Sequence, residues 1–355
     1  MKILFVAGRE LSYPRNDVIL RALQRFGDVD VVGEDHLGSL SYRNFRLILR
    51  LIPKLLTKKH DLVFVGFYGH VLMLFAGTLS IKPVIFDAFV STYDTLSDDR
   101  QIIRSSSIIG RLAFQLDRFS CRLADHILLD TAQHVDYFVD TFNISPDLFD
   151  ALPVGCNESL FYPREEPSND KVVVLYYTTY QPLHGVDVVI QAAKLLSAQG
   201  SLHFRLIGNG PEYEKVTRLI EKLELENVSL KPYLPIKELP EEIGSADILL
   251  GGHFGTSSKA GRVIPGKLYQ ILAMRRPMIA ADSIAIRTLI EDGTDAILCR
   301  PGDPVALAHA IEKLCKDSNL RDHLKNNGRR LYETCCSESI ITEKLKRIVD
   351  RVVLG

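Results

Sequence analysis

Several common classes of protein are excluded by what the sequence lacks. Its six cysteines form no Cys-x-x-Cys pair and its ten histidines form no His-Glu-x-x-His motif, so no metal site is predicted. No apolar run reaches the roughly 18 residues that a membrane-spanning helix needs. The 43 basic and 44 acidic residues leave a net charge of −1, so no nucleic-acid partner is expected.

The first residues argue against two further classes. The segment MKILFVAGRE has one Lys and a short apolar run, which predicts a first buried strand rather than a signal peptide. We therefore expect a cytoplasmic protein with reduced thiols. Only Gly8 follows this strand, so the Gly-x-Gly-x-x-Gly loop of a nicotinamide-dependent dehydrogenase is missing.

What the 355 residues do contain is an alternation of apolar runs with helical patterns. Runs rich in Val, Ile, Leu and Phe are typical of parallel strands that are buried on both faces. These runs lie at 2–8, 29–33, 61–67, 83–89, 126–130, 151–155, 172–178, 204–208, 228–233, 247–251, 277–282 and 296–300. The alternation predicts an α/β fold of two tandem Rossmann-like, doubly wound domains.

A polar stretch with two prolines separates the two halves of this pattern. We place the first domain at 1–157, a linker at 158–170, the second domain at 171–335 and a terminal helix at 336–355. The terminal helix is expected to cross back to the first domain.

In doubly wound sheets, ligands bind beyond the carboxyl ends of the strands, so the loops there are candidate sites. Gly208, Asn209 and Gly210 follow one strand, and their two glycines allow a close backbone approach. An ordinary turn before a helix explains this loop equally well. His184 and Gly185 precede an apolar helix whose first N–H groups favour a phosphate.

The glycine-rich stretch at 251–282 is the most informative loop. A helix begins there at Gly266 and carries Lys267 in its first turn, where the helix dipole favours an anion instead. A bound diphosphate would resolve this conflict through contacts with Lys267, Arg262 and the free N–H groups. A solvated surface loop is the alternative.

Taken together, four segments in this order and spacing resemble the family-four retaining glycosyltransferases of the GT-B architecture. They are PLHGVD (182–187), RLIGNGPE (205–212), SADILL (245–250) and RVIPGKLYQILAMRRPMI (262–279). The resemblance implies that the second domain holds a nucleotide diphosphate sugar. It also implies that Gly185 and the Gly266-Lys267 helix start cradle the diphosphate, and that no further cofactor is required.

Two positions depart from the pattern of that family. The family commonly carries two glutamates around this helix, and the corresponding residues here are Arg262 and Gln270. The second glutamate normally accepts hydrogen bonds from the ribose. Gln270 can still accept through its carbonyl oxygen but lacks the charge. The departures leave open a reduced activity or a different donor.

In the first domain, the loops after two strands are expected to serve the donor and the acceptor. Gly8 would face the donor, and the segment at 89–100 is dense in Asp, Ser, Thr and Tyr. The candidate catalytic and acceptor-binding residues there are Asp87, Asp94, Asp99 and Arg100. A helix cap or a surface charge is the alternative for each of them.

These expectations combine into a function. The resemblance implies transfer of a sugar, with retention, from a nucleotide diphosphate sugar to an acceptor of a cell-surface glycan or glycolipid pathway. Lys267, Arg262 and helix N-termini would stabilise the leaving diphosphate without a metal. Two alternatives remain open: a nucleotide-sugar 2-epimerase, and a degenerate, non-catalytic nucleotide-sugar binding subunit.

The stretch 41–60 is basic and contains no acidic residue. Its apolar residues recur at helical spacing, although Pro53 is expected to interrupt a single helix. A basic amphipathic helix can lie on an anionic membrane surface, which would place the protein peripherally on the inner face of the membrane. The alternative is a domain helix packed by its Leu side chains, with solvated charges.

Overall fold

The computed structural model describes residues 1–35, 39–99, 104–166 and 168–354. The chain divides into two compact units. The first comprises Met1–Asn157 and the helix that begins at Glu338, and the second comprises Glu158–Ser337. Each unit contains one parallel six-stranded sheet with helices on both faces, as predicted.

In the first unit the strands lie in the order β2-β1-β3-β4-β5-β6. Their bounds are β1 Lys2–Ala7, β2 Asp28–Val32, β3 Leu62–Gly66, β4 Val84–Asp87, β5 His126–Leu129 and β6 Phe149–Ala151. The central strand β1 pairs on both sides, so that Ile3 lies opposite both Val29 and Leu62. The side chains of β1 from Ile3 to Ala7 are all buried, because helices cover both faces of the sheet.

The helices of the first unit connect these strands. Their bounds are α1 Pro14–Gln24, α2 Leu40–Thr57, α3 His70–Leu79, α4 Thr92–Asp94, α5 Ile108–Arg122 and α6 Ala132–Phe142. A π-helical turn at Thr95–Asp99 follows α4. Helices α2, α3, α5 and α6 cover one face of the sheet, while α1 covers the other.

The second unit repeats this architecture, with the strand order β12-β11-β10-β7-β8-β9. Its strands are β7 Val172–Tyr177, β8 Leu202–Ile207, β9 Val228–Lys231, β10 Ile248–Gly252, β11 Met278–Ala281 and β12 Ile297–Cys299. Its helices are α7 Val186–Leu195, α8 Tyr213–Lys222, α9 Leu239–Gly244, α10 Ser258–Arg262, α11 Gly266–Ala273, α12 Ile284–Arg287, α13 Pro304–Lys316 and α14 Ser318–Cys335.

The last helix of the chain, α15 (Glu338–Leu354), belongs to the first unit. Its apolar side chains, among them Ile341 and Leu345, pack beside α1 on the face of the sheet that carries Ile3 and Phe5. The predicted return of the terminal helix to the first half of the chain is therefore confirmed.

The polar segment that was predicted as a linker packs on the second unit where the structure describes it. Glu166 pairs with Arg276 and with Lys325, at 3.2 and 2.9 Å. The hydroxyl of Tyr332 donates to the carboxylate of Glu158 at 3.1 Å. These contacts hold the start of the second unit against α14 and the segment between α11 and β11.

Helix α2 runs without a break through Pro53, so the expected interruption is wrong. Proline removes the hydrogen bond to the carbonyl of Leu49, four residues earlier. Leu49 and Pro53 both lie on the exposed side of the helix, where water can satisfy that carbonyl. No helix among the described residues is long and apolar enough to span a membrane.

The buried side chains of α2 recur every four residues, on one side of the helix. Leu47, Leu51 and Leu55 are buried in the core, with exposed fractions of 0%, 0% and 5%, so the helix is a structural part of the sheet layer. Arg43 is also buried and pairs with Glu10 at 2.5 Å, so it is not among the solvated charges expected of the stretch 41–60. The pairing compensates the cost of burying its charge.

The other basic residues of α2 remain partly exposed. Arg46 and Arg50 both pair with Glu34, and Lys54 pairs with Asp30. The two acidic partners lie on β2 and just after it, outside the stretch 41–60. Each of these three basic side chains is therefore partly exposed to solvent and also paired with an acidic residue on β2 or just after it.

We predict that Leu51→Ala lowers the free energy of unfolding by about 2–5 kcal/mol, because it leaves a cavity in the core. Leu49→Ala, two residues earlier and exposed, is the control and should change it by less than about 0.5 kcal/mol. Urea unfolding followed by circular dichroism measures both. Similar losses for the two variants would show that the orientation of α2 is wrong.

Candidate functional site

Two loops of the second unit meet beyond the carboxyl ends of β7 and β10. The backbone N–H of Phe254 donates to the carbonyl of His184 at 3.3 Å, and that of Gly255 donates to Leu183 at 3.0 Å. Gly185 has a φ of +61°, and a Cβ there would lie 2.4 Å from the carbonyl carbon of Phe254. Only glycine allows this contact without strain.

Tyr176, at the end of β7, connects this turn to α11. Its hydroxyl donates to the carbonyl of His184 at 2.7 Å, and its ring lies 4.2 Å from Nζ of Lys267. Burial raises the pKa of the Tyr176 hydroxyl, so it remains a donor. The structure thus brings together four of the predicted donor-binding residues: His184, Gly185, Gly266 and Lys267.

Lys267 is the second residue of α11; its side chain is half-buried, and its Nζ atom is enclosed. Within the part of the chain that the structure describes, Nζ has no hydrogen-bond partner. Burial lowers the pKa of this ammonium to about 7, because the charged form loses its hydration. A buried cation without a partner is costly, and its chemistry suits an anionic ligand.

Two histidines flank this cation. The rings of His184 and His253 stack at 5.1 Å, and burial holds the pKa of both well below the usual value. The charges of Lys267 and Lys259 lower these pKa values further. The backbone N–H of Gln181 donates to Nδ1 of His184 at 3.1 Å, so the neutral ring carries its proton on Nε2. The pair therefore adds neutral hydrogen-bonding groups next to the lysine.

The loop at Gly208–Gly210 packs on the loop after β7. A Cβ at Gly208 would lie 1.7 Å from the carbonyl oxygen of Thr178, and one at Gly210 would lie 1.8 Å from that of Thr179. Asn209 is exposed between them, and its Oδ1 accepts from the N–H of Gly210 at 2.7 Å. The glycines thus have a structural reason, as the turn interpretation predicts, and the predicted contact of this loop with the donor stays a prediction.

Gln270 lies one turn after Lys267 on α11 and is buried. Its Oε1 accepts a hydrogen bond from the hydroxyl of Tyr177 at 2.9 Å. The acceptor that the prediction assigned to a ribose is therefore already engaged by a neighbouring side chain. A carbonyl oxygen has two lone pairs, so one further bond remains possible.

Arg262 is the last residue of α10 and is half-buried. Lys259, one turn earlier, is the residue of α10 whose charge acts on both histidines. Lys259, a residue that the sequence analysis did not select, is therefore a further cation near the histidines, and the predicted phosphate contact of Arg262 stays a prediction.

The described residues contain no cluster of three or more His, Cys, Asp or Glu side chains that could hold a metal ion.

In the first unit, Gly8 lies where the loops after β1 and β3 touch. A Cβ at Gly8 would lie only 2.0 Å from the carbonyl oxygen of Tyr68. The next N–H, that of Arg9, donates to the carbonyl of Phe67 at 3.1 Å. The glycine is therefore required by this close approach, and its predicted contact with the donor stays a prediction.

Asp87, at the end of β4, is fully buried. Its two oxygens accept from Nε and NH2 of Arg15, at 2.9 and 2.8 Å, and Arg15 also donates to the carbonyls of Leu152 and Pro153. Burial raises the pKa of Asp87, although Arg15 opposes the shift. The arrangement gives Asp87 a structural role, because its buried carboxylate is held by Arg15, and its predicted catalytic role stays a prediction.

The other predicted catalytic residues follow β4. Asp94 is buried at the end of α4, and its N–H donates to Ser91 Oγ at 2.9 Å. Asp99 ends the π-helical turn, but its side chain is not among those described, and Arg100 lies outside the described residues.

Asp117, which the sequence analysis missed, organises this segment. Its carboxylate is fully buried on α5 and accepts from Ser91 Oγ and from the N–H groups of Thr92 and Tyr93, at 2.6 to 3.1 Å. Its position in the apolar pattern of α5 was the available signal, because a carboxylate on a buried helix face needs donors from another element.

Comparison with known proteins gives a family match to most of the second unit. The family model described as "Glycosyl transferases group 1" matches residues 160–331. The matched segment contains His184, Gly208, Lys267 and Gln270.

Two relatives in sequence are named as transferases. An α-D-kanosaminyltransferase of Streptomyces kanamyceticus is 28% identical over 189 residues, which cover 52% of this chain and 47% of the relative. A protein described as a putative colanic acid biosynthesis glycosyltransferase of Salmonella typhimurium is 30% identical over 171 residues, covering 47% and 42%. The matches thus span less than half the length of these relatives.

Solved structures match the whole chain in fold. The Anabaena protein HepE, solved in complex with UDP-glucose, has a TM-score of 0.74 at 14% identity and covers 99% of this chain and 100% of its own. A sucrose-phosphate synthase of Thermosynechococcus elongatus has a TM-score of 0.76 at 14% identity, covering 99% of both chains. The chain therefore has the two-domain GT-B fold, and its residues 160–331 match the family model of the group 1 glycosyl transferases.

Proposed function

We propose that the protein transfers a hexosyl group, with retention, from a nucleotide diphosphate sugar to an acceptor in glycan or glycolipid biosynthesis. The observation that carries this proposal is Lys267, whose buried Nζ lies without a hydrogen-bond partner among the described residues. A leaving diphosphate supplies the anion that such a group stabilises. The names of the two relatives support the same reaction class.

The proposed diphosphate site is made of groups that are already held in place. Gly185 opens α7 and Gly266 opens α11, so free backbone N–H groups accompany Lys267. Tyr176 holds the turn at His184 through its hydroxyl, and its ring faces Lys267. Little reorganisation is then needed when negative charge develops on the leaving group.

The positive charge of the site would stabilise a diphosphate as it leaves the sugar. In transfer with retention the anomeric carbon–oxygen bond breaks, and the bonding electrons go to the diphosphate. Protonated Lys267 stabilises these electrons, while His184 is neutral and donates from Nε2. The bond to the acceptor oxygen then forms on the same face of the sugar, and the proton of the acceptor hydroxyl passes to the leaving diphosphate oxygen.

One observation favours a second function, that of a binding subunit without transfer activity. Gln270 takes the place of the acidic residue that the resemblance leads us to expect, and its oxygen is engaged by Tyr177. Weak ribose binding would follow from this arrangement.

We predict that Lys267→Met weakens binding of UDP, the nucleotide in the HepE complexes, by about 1.5–3 kcal/mol, the contribution of a charged hydrogen bond. Lys215→Met, on an exposed lysine of α8, is the matched control and should bind normally. Isothermal calorimetry measures both affinities. Without ligand, Lys267→Met should unfold at a higher temperature than the native protein, because it removes a buried charge. Unchanged affinity with an intact fold would place the diphosphate elsewhere.

Binding of UDP should also depend on pH in a direction that Lys267 sets. Its pKa of about 7 in the free protein rises when an anion lies beside it, so binding above pH 7 takes up a proton. Affinity should therefore fall as pH rises from about 7 to 9. His184 and His253 are neutral in this range because their pKa values are lowered. Calorimetry in buffers of different ionisation enthalpy measures the uptake, which Lys267→Met should abolish.

The activity itself is tested with nucleotide sugars that raise the melting temperature in a screen. We expect the selected donor, together with a glycan acceptor, to yield a product whose anomeric configuration, measured by NMR, matches that of the donor. The variant Gln270→Glu distinguishes a transferase from a binding subunit. If the native protein is an active transferase, the substitution should raise its turnover by less than about tenfold. If the native protein binds the donor and only the Gln270→Glu variant transfers the sugar, the native protein is a degenerate binding subunit.

A further inference from the structure

The first unit carries apolar side chains on its outer surface that its core does not use. On α2, the side chains of Tyr42, Phe45, Leu49 and Leu56 are 57–62% exposed. Their spacing of three, four and seven residues places them in one stripe along the helix. This stripe is separate from the buried row of Leu47, Leu51 and Leu55.

Helix α5 carries a second set of exposed apolar side chains. Ile108, Ile109 and Leu112 in its first turns are 78%, 59% and 64% exposed, and Phe119 further along is 51% exposed. The helix start is held by Ser107, whose Oγ accepts from the N–H of Gly110 at 3.1 Å. The exposed residues therefore belong to an ordered helix.

Helix α3 lies between the other two. It packs against both α2 and α5, and all three cover the same face of the sheet. Leu79 at its end and Ile81 just after it are exposed as well. The sides of α2, α3 and α5 that point away from the sheet form one layer, which we call the outer helical surface. Exposed apolar groups in such number on one side of a unit are typical of an interaction surface.

The charges of the outer helical surface have one sign. The sequence of α2 and α3 contains no Asp or Glu, and the single acid of α5, Asp117, is fully buried. Arg46 and Arg50 on α2 share one acidic partner, Glu34, while Arg111 and Arg122 on α5 are exposed. Exposed arginines among exposed apolar residues complement an anionic layer above an apolar one.

We propose that the outer helical surface docks the first unit on an anionic lipid bilayer. Phe45, Leu49, Ile109 and Leu112 would enter the boundary between headgroups and acyl chains, and the arginines of α2 and α5 would contact lipid phosphates. The surface differs from the row first considered in the sequence, because Arg43 and the three buried leucines of α2 take no part. The proposal concerns the first unit alone and does not depend on the transfer reaction.

The chain contains no tryptophan, so a single substitution provides a specific optical probe. In Phe45→Trp the fluorescence of the protein should shift to the blue when vesicles containing one-third phosphatidylglycerol in phosphatidylcholine are added. Brominated lipids should quench it. The matched control is Leu195→Trp, at a position of similar exposure on α7 of the second unit, 56% against 58%. The control should show neither change.

Sedimentation with the same vesicles measures the binding itself. A variant with Phe45→Glu, Leu49→Glu and Ile109→Glu should bind at least about tenfold more weakly, because burial of three apolar side chains is lost. Leu195→Glu should bind like the native protein. Binding should also fall towards roughly 1 M salt, where the Debye length is about 3 Å, and with phosphatidylcholine alone. Circular dichroism and the melting temperature confirm that each variant is folded.

Three results would overturn the proposal. The first is no binding of the native protein to the anionic vesicles at low salt. The second is an equal loss of binding in Leu195→Glu and in the triple variant. The third is a native dimer in analytical ultracentrifugation that the triple variant turns into a monomer, since the outer helical surface would then join two copies of the chain. None of these results bears on UDP binding, so the proposed function is judged separately.

Discussion

Burial of both faces of each parallel sheet is the constraint on which the rest of the structure depends. Strands such as β1 and β3 are apolar on both sides, so helices must cover both faces before the backbone and side chains are shielded from water. This coverage leaves the carboxyl ends of the strands as the places where polar loops can converge. The cluster of Tyr176, His184 and Lys267 lies at such an end because the core occupies the remainder of the unit.

Lys267 shows how this site differs from the other buried charges. Arg15 and Arg43 are buried with carboxylate partners, which compensate their lost hydration. Lys267 has the face of Tyr176, a weaker form of compensation. Stability is therefore given up at a position where an anionic ligand would restore it, which is typical of a functional site.

The sequence predicts the strands well because each is a short apolar run. It does not predict which side chains from distant parts of the chain will contact one another. Among the strands, β6 is predicted less well: it is predicted at 151–155 and found at Phe149–Ala151, because Asp150 breaks its apolar pattern. Lys267 could be selected because its charge opposes the helix dipole. Tyr176 looks like an ordinary core residue, and Lys259 like a solvated one. The burial of Asp87 depends on Arg15, 72 residues away.

The return of α15 to the first unit has a consequence for how the chain is made. Ile341 and Leu345 complete the apolar layer over Ile3 and Phe5, but they leave the ribosome only after all of Glu158–Ser337 has been synthesised. At about 5–20 residues per second, that interval is roughly 10 to 40 seconds. Throughout it, the N-terminal sheet is present with one face incompletely covered. The second unit, which is continuous in sequence, can finish folding first, so the order of folding reverses the order of synthesis.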